Sequence, residues 1–194
     1  MKPDVNARDG EGLTPLFNAK DSDTAESFIA DGADVSAKDN YGNTPLHEAA
    51  REGRDSVATV LLTKGADAKA RNNEGHTPLH FAAAFGHQVM AEILVANCAD
   101  LNAKDKEDNT PLHWAALKGQ SSVATVLIGN GADVNAVDRF GATPLDLAVL
   151  QVNRAKMITQ YANKAKDHDD VSTLLRSHGG QRIADAAALR LIVG

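Results

Sequence analysis

The feature that most constrains this chain is a short motif that returns at a nearly fixed interval. Thr-Pro-Leu occurs five times, and the intervals between successive copies are 30, 33, 33 and 33 residues. The copies begin at Thr14, Thr44, Thr77, Thr110 and Thr143. A period of this length predicts an array of similar modules that stack on their neighbours, because no single module has a core of its own.

One module, residues 39–71, shows how the period encodes a pair of helices. Residues 39–42 have the composition of a tight turn, in which glycine supplies a positive φ. Thr44 can cap the helix that follows, and the proline after it suits the first helical position. Gly53 and Gly65 are placed to end the first and second helices. Apolar residues at helical spacing mark the buried sides, namely Leu46, Ala49 and Ala50 in the first helix and Val57, Val60, Leu61 and Leu62 in the second.

These modules resemble ankyrin repeats, whose signature is a 33-residue period with Thr-Pro-Leu-His-x-Ala. Three of the five modules contain the full Thr-Pro-Leu-His, with His47, His80 and His113. The resemblance covers about residues 4–180. It implies an all-α solenoid of stacked antiparallel helix pairs that are joined by β-hairpin-like turns. We expect a repeat domain over residues 1–180, with repeats at about 9–38, 39–71, 72–104, 105–137 and 138–180, and a tail or short capping helix at 181–194.

Four modules depart from the pattern. The first is three residues short and its helices are polar, as expected of an end repeat that meets water. Cys98 and Asp108 stand where other modules have glycine, so we expect locally strained backbone there. The fifth carries an insertion near residues 151–166 that has no glycine or proline. We interpret it as an extension of the first helix, followed by a turn at residues 167–170, and a flexible loop is the alternative.

Composition narrows the possible partners. The chain is 43% hydrophobic and 24% charged, as is usual for a globular protein, and its formal net charge is −6. Nucleic-acid binders usually carry a basic stripe, so we expect no nucleic-acid partner. No apolar stretch approaches the length of a membrane span, and we expect no membrane contact. A single cysteine excludes an intrachain disulfide and agrees with a cytoplasmic location, although secretion as an effector is not excluded. We expect a monomer.

The histidines are the residues most easily mistaken for a metal site. His47, His80 and His113 recur once per module, too far apart for one zinc ion with bonds of about 2 Å. The resemblance implies that they tie neighbouring turns together by hydrogen bonds. His76 and His80 are four residues apart, but the helix starts between them, so we expect no metal there either. Cys98 and the scattered carboxylates form no recognisable catalytic set, and we expect no catalytic, cofactor or metal site.

The resemblance places partner contacts on the turn tips and on the outward side of the first helices. Aromatic residues with charged neighbours concentrate there, which is the composition of a binding hot spot. The predicted contact residues are Tyr41, Arg51, Glu52, Phe81, Phe85, Trp114, Leu117, Lys118, Arg139 and Phe140. The alternative for Phe81 and Trp114 is that they are half-buried between modules and only pack.

We therefore predict a non-catalytic scaffold that binds a partner protein through the concave face of the array. The alternative is a regulatory or targeting fragment of a larger multidomain protein, such as a secreted or host-directed ankyrin effector. The sequence names no partner, because one scaffold serves unrelated targets.

Overall fold

A computed structural model of the chain describes residues 4–157 and 162–180, and within these residues there are helices and turns but no β-strand. The predicted all-α fold is confirmed. Along the chain come a 3-10 helix at Pro15–Asn18 and the α-helices α1 (Ser22–Ala30), α2 (Pro45–Glu52), α3 (Asp55–Thr63), α4 (Pro78–Phe85), α5 (Gln88–Ala96), α6 (Pro111–Lys118), α7 (Ser121–Gly129), α8 (Pro144–Met157) and α9 (Ala162–Ser177).

The described residues divide into two compact units. The first unit comprises the residues up to Ala82 together with Val89–Asp100, and the second comprises Ala83–Gln88 and the residues from Leu101 onward. In the first unit, α3 packs against α1 and α2, and α2 also contacts the 3-10 helix. In the second unit, α6 packs against α7, α8 and α9, and α8 lies along α9.

Helices α2 and α3 show why these residues form a pair. The capping threonine Thr44 has extended backbone, and α2 begins at the proline that follows it. Gly53 ends α2 in the left-handed region, with φ of 67°, where a side chain would be strained. The sides predicted to be apolar face inward, and Leu46 and Leu61 have no exposed surface. Neither short helix can bury its apolar side alone, so the pair depends on neighbouring repeats.

The turns between helix pairs are hairpin-like and held by an aspartate. The carboxylate of Asp39 accepts the backbone N–H groups of Tyr41 and Asn43, both at 2.8 Å. The backbone of Asp39 also donates to the carbonyl of Asn43 at 2.9 Å. The next tip attaches to this one, because the N–H of Asn73 donates to the carbonyl of Tyr41 at 2.9 Å. The tip at residues 39–43 is therefore fixed both within its own repeat and by the next tip.

The first repeat carries its three-residue shortfall in its first helix. That helix is reduced to the 3-10 turn Pro15–Asn18. Helix α1 then begins after Asp21, whose carboxylate accepts the backbone N–H of Thr24 at 2.8 Å. This hydrogen bond holds the pKa of Asp21 below its usual value.

The insertion in the fifth repeat is helical on both sides. Helix α8 runs to Met157, which confirms the expected extension of the first helix up to that residue, and residues 158–161 lie outside the described part. The turn predicted at residues 167–170 is wrong, because α9 already begins at Ala162. Residues His168, Val171, Ser172 and Leu175 are buried at helical spacing. Two of these four residues are polar, so the spacing of apolar residues alone does not predict this helix. The predicted tail at 181–194 lies outside the described residues.

Among the described residues, two that are not glycine adopt left-handed backbone, as expected because they stand where other repeats have glycine. Cys98 has φ of 60° and Asp108 has φ of 62°. The cysteine side chain is exposed. A residue with a Cβ in this region costs about 1 kcal/mol, so each is a point of modest strain.

A polar side chain at the start of α3 and α7, and inside α9, links repeats in both units. It stands three residues before Val57, Val123 and Val171. The hydrogen bonds run from Arg54 to the carbonyls of Phe17 at 2.8 Å and Ala19 at 2.9 Å, from Gln120 to Ala84 at 3.3 Å, and from His168 to Ala116 at 3.2 Å. Each bond reaches a carbonyl at the end of the preceding repeat's first helix, where backbone donors within the helix are scarce.

Candidate functional site

The recurring histidines serve as helix caps. Nδ1 of His47 accepts the backbone N–H of Thr44 at 3.0 Å, so the ring proton is on Nε2, which donates to the carbonyl of His76 at 3.1 Å. In the second unit, His113 makes the same contacts with Thr110 at 3.1 Å and with the carbonyl of Ala142 at 3.1 Å. Both ring nitrogens are used, which leaves none for a metal ion. Across the residues described, no group of three or more potential ligands could hold one.

Burial keeps these histidines neutral. Desolvation lowers the pKa of His47 to about 4, although the carbonyl of His76 opposes that shift. Desolvation also lowers the pKa of His113, against the carbonyl of Ala142. In the fifth repeat Asp146 takes the histidine's slot, and its carboxylate accepts the N–H of Thr143 at 3.0 Å and the hydroxyl at 2.8 Å. In the second to fifth repeats the slot therefore supplies an acceptor for the N–H at the helix start.

The predicted contact residues lie on hairpin tips and first helices in both units. We refer to these tips and helices as the tip-and-helix surface. The first unit contains Tyr41, Arg51, Glu52 and Phe81, and the second contains Phe85, Trp114, Leu117, Lys118, Arg139 and Phe140.

Tyr41 is the most exposed large hydrophobic side chain among the described residues, with 69% of its surface accessible. Its backbone is held by Asp39 and by the following tip, and the glycine after it has φ of 78°. The ring therefore projects from a fixed backbone, so a partner would order only the side chain on binding.

Arg51 lies within a cluster of acidic side chains on α2. Its guanidinium contacts Glu48 at 2.6 Å and Glu52 at 2.9 Å, and the hydrogen bond to Glu48 raises its pKa. Arg54 reaches the same carboxylate of Glu48 at 3.5 Å. A partner at α2 thus meets a nearly balanced group of charges and no isolated cation.

Phe81 is half-buried against two histidines of the first unit. Its ring lies edge-on to His47 and to His76, with ring centroids 5.8 Å apart in each case. Phe85, one turn later in α4, is 52% exposed and stacks on His87 at 6.5 Å. Packing between modules therefore accounts for the partial burial of Phe81, whereas about half of the surface of Phe85 faces solvent.

Trp114 is half-buried and held by a residue that sequence analysis missed. Its indole Nε1–H donates to the carboxylate of Asp105 at 2.9 Å. That carboxylate is buried and also accepts the N–H groups of Glu107 and Asn109. The ammonium of Lys118 lies 5.8 Å from the indole centroid, which is within the range of a cation–π interaction. Leu117, also predicted, is half-buried on the same helix.

The tip at Arg139 and Phe140 repeats this combination of cation and ring. The guanidinium carbon lies 4.8 Å from the centroid of Phe140, which is 45% exposed. Arg139 also contacts the carboxylate of Glu107 at 3.5 Å, and its N–H donates to the carbonyl of Glu107 at 2.9 Å. The hairpin at residues 105–109 therefore holds Trp114 through Asp105 and the next tip through Glu107.

In the part of the chain that the structure describes, one large exposed apolar side chain was not predicted. Val89, in the second helix of its repeat, is 52% exposed. It lies outside the tip-and-helix surface. No helix in the described part of the chain is long and apolar enough to cross a membrane.

Comparison with known proteins identifies the repeats. A family model described as ankyrin repeats (3 copies) matches residues 1–72 and 61–138. The nuclear factor NF-kappa-B p105 subunit of Rattus norvegicus is 43% identical over 61 residues, which are 30% of this chain and 6% of that protein. The 60 kDa lysophospholipase of Mus musculus is 45% identical over 47 residues, or 24% of this chain and 8% of that protein. The chain thus spans less than a tenth of either relative.

Proposed function

The chain belongs to the ankyrin-repeat family, and from this premise we propose that it is a non-catalytic scaffold that binds a partner protein through its tip-and-helix surface. Ankyrin repeats generally mediate protein–protein interaction. Family membership alone does not name the surface used, so the choice rests on the residues of this chain.

The observation that carries the proposal is the exposure of large apolar rings at fixed backbone positions. Tyr41, Phe85 and Phe140 each leave about half or more of their surface in solvent. Aromatic residues are enriched among interface hot spots, because they bury much area at little cost in conformational entropy. Hairpin hydrogen bonds and helix caps hold the backbone beneath these rings, so little of the binding energy is lost to ordering.

Charges beside the rings indicate what the partner presents to the second unit. Lys118 lies over Trp114, and Arg139 lies over Phe140. A carboxylate placed beside either ring would meet a cation that is already positioned. We expect the partner segment at the second unit to combine apolar side chains with acidic ones, which favours association through complementary charge.

We propose no enzymatic activity. The histidines at the helix starts are buried, and their ring nitrogens are committed to hydrogen bonds of the fold. One relative is named as a lysophospholipase, but the match covers 8% of that protein, and we do not assign its activity to this chain.

The test is affinity purification with matched variants of the full chain. One variant carries Tyr41→Ala, Phe85→Ala and Phe140→Ala. The control carries Val89→Ala, which removes an equally exposed apolar side chain outside the tip-and-helix surface.

A partner of the proposed kind is captured by the wild type and by the Val89→Ala control but not by the triple variant. The captured protein is then purified, and its Kd is measured against each variant. We expect the triple variant to weaken binding at least about 30-fold, which corresponds to roughly 2 kcal/mol. Equal affinity for the triple variant and the wild type refutes the proposed surface.

A further inference from the structure

An open depression in the first unit lies outside the tip-and-helix surface. It has a volume of about 430 Å³ and is lined by Thr44 and by residues from the two loops at 35–38 and 67–71. Each loop leads from the second helix of one repeat into the hairpin of the next. None of its lining residues belongs to the predicted contact set.

The lining is basic although the chain is acidic. Lys38, Lys69 and Arg71 line the depression together with a single carboxylate, that of Asp67. These four side chains leave a formal excess of two positive charges, whereas the whole chain has a net charge of −6. The carboxylate of Asp67 already accepts the backbone N–H of Lys69 at 2.8 Å, so it is tied to its own loop.

The two loops hold cations toward the same space. The ammonium of Lys38 lies 3.4 Å from the carbonyl of Arg71, and this contact bridges one loop to the next. Within the described part of the chain, the ammonium of Lys69 makes no hydrogen bond or ion pair, and its side chain is exposed. Lys69 can therefore turn toward an anion without breaking a contact of the fold.

We propose that this depression binds a phosphoryl group carried on a serine or threonine of an extended peptide. A phosphorylated side chain has three acceptor oxygens and a charge of about −1.5 to −2 at neutral pH. This charge is opposite in sign and close in size to the excess charge of the lining. Lysine is a common phosphate ligand that acts as a point charge, and Lys38 and Lys69 supply two such charges. The apolar lining of Val35 and Ala70 gives the neighbouring peptide residues a surface to contact. This inference does not rest on the tip-and-helix surface.

The test uses fluorescence anisotropy with the full chain at constant ionic strength. The probe is a fluorescein-labelled pentapeptide with a central phosphoserine between alanines. The unphosphorylated peptide is the negative probe, and inorganic phosphate is the competitor. The variants are Lys38→Gln and Lys69→Gln. The matched control is Lys20→Gln, which removes the same charge from an exposed lysine outside the depression.

We expect saturable binding of the phosphopeptide, about fivefold weaker in each lining variant and unchanged in Lys20→Gln. Inorganic phosphate should displace the peptide, and the unphosphorylated peptide should not bind. The proposal is overturned if the unphosphorylated peptide binds equally well, or if Lys20→Gln weakens binding as much as Lys69→Gln. It is also overturned if inorganic phosphate binds while the phosphopeptide does not.

Discussion

Two threonines in the same slot of the repeat differ in what their hydroxyl groups contact. Thr110 caps α6, because its hydroxyl accepts the backbone N–H of His113 and also lies 2.9 Å from Nδ1 of that residue. In the first repeat the histidine's slot holds Phe17, whose ring is buried. The buried hydroxyl of Thr14 has no hydrogen-bond partner among the described residues. Valine has nearly the same shape as threonine, so the two substitutions isolate the hydroxyl.

We expect the two substitutions to change the free energy of unfolding in opposite directions. Thr110→Val removes a helix cap and leaves the N–H of His113 without its acceptor, so we expect the free energy of unfolding to fall by about 1–2 kcal/mol. Thr14→Val removes a buried hydroxyl whose desolvation nothing offsets, and it keeps a side chain suited to extended backbone. We expect that change to raise the free energy of unfolding by about 1 kcal/mol.

The assay is urea unfolding of the full chain followed by far-ultraviolet circular dichroism. Compared with the wild type, the midpoint should rise for Thr14→Val and fall for Thr110→Val, with the slopes unchanged. If both substitutions shift the midpoint in the same direction by similar amounts, the partner histidine does not decide the hydroxyl's contribution, and the capping argument fails.

Three further predictions concern stability. The folded pKa of His47 is about 4 and that of His113 is also lowered, so the unfolded chain binds protons first as the pH falls. The free energy of unfolding should therefore decline as the pH falls below about 6.5, and His47 alone contributes up to about 1.4 kcal/mol per pH unit down to about pH 4. A flat profile in pH-dependent urea melts would contradict this. Cys98→Gly should raise the free energy of unfolding by about 1 kcal/mol, since glycine adopts φ of 60° without strain, and an unchanged thermal midpoint would count against strain at that slot. Arg54→Met keeps the length of the side chain but removes the hydrogen bonds to the carbonyls of Phe17 and Ala19. The free energy of unfolding should fall by about 1–2 kcal/mol in the same urea assay. An unchanged value would mean that water replaces the guanidinium.

The repeat pattern is sufficient to predict the first helices of the second to fourth modules, because the signals for their start and end occur at the same place in each of these modules. Thr44, which precedes a proline, and Gly53, three residues after an alanine pair, correspond to the start and end of α2. Small and branched apolar residues at helical spacing predicted the buried sides of α2 and α3. These signals are local, so no information about distant contacts was needed.

The fifth repeat shows where local signals fail. Residues 167–170 are almost all acidic, which favoured a turn, yet they continue α9. The helix is stabilised there by contacts across repeats, since His168 donates to the carbonyl of Ala116, and a β-carbon on Gly119 would lie 3.0 Å from that imidazole. Which polar residue faces a neighbouring repeat depends on tertiary packing, and the pattern of apolar residues does not encode it.

The candidate site was predictable in position but not in detail. The positions of the aromatic residues at the tips and in the first helices predict that these residues are available for contact. Tyr41, Phe85 and Phe140 are exposed. The hydrogen bond from Trp114 to Asp105 joins residues of a helix and a hairpin. Aligning the modules offers a signal for it, because an aspartate stands at that tip position in several repeats while only this repeat places an indole donor opposite. Partner binding at these residues is still a prediction.

Hydrogen–deuterium exchange of the full chain, alone and in complex with the partner that it captures, tests the binding surface most directly. Binding through the tip-and-helix surface predicts slower exchange at the hairpin tips around residues 40–43, 106–109 and 139–141 and in the first helices α2, α4 and α6. Exchange in the second helices α3, α5 and α7 should stay unchanged. Slower exchange confined to α3, α5 and α7, with the tips unaffected, would contradict it.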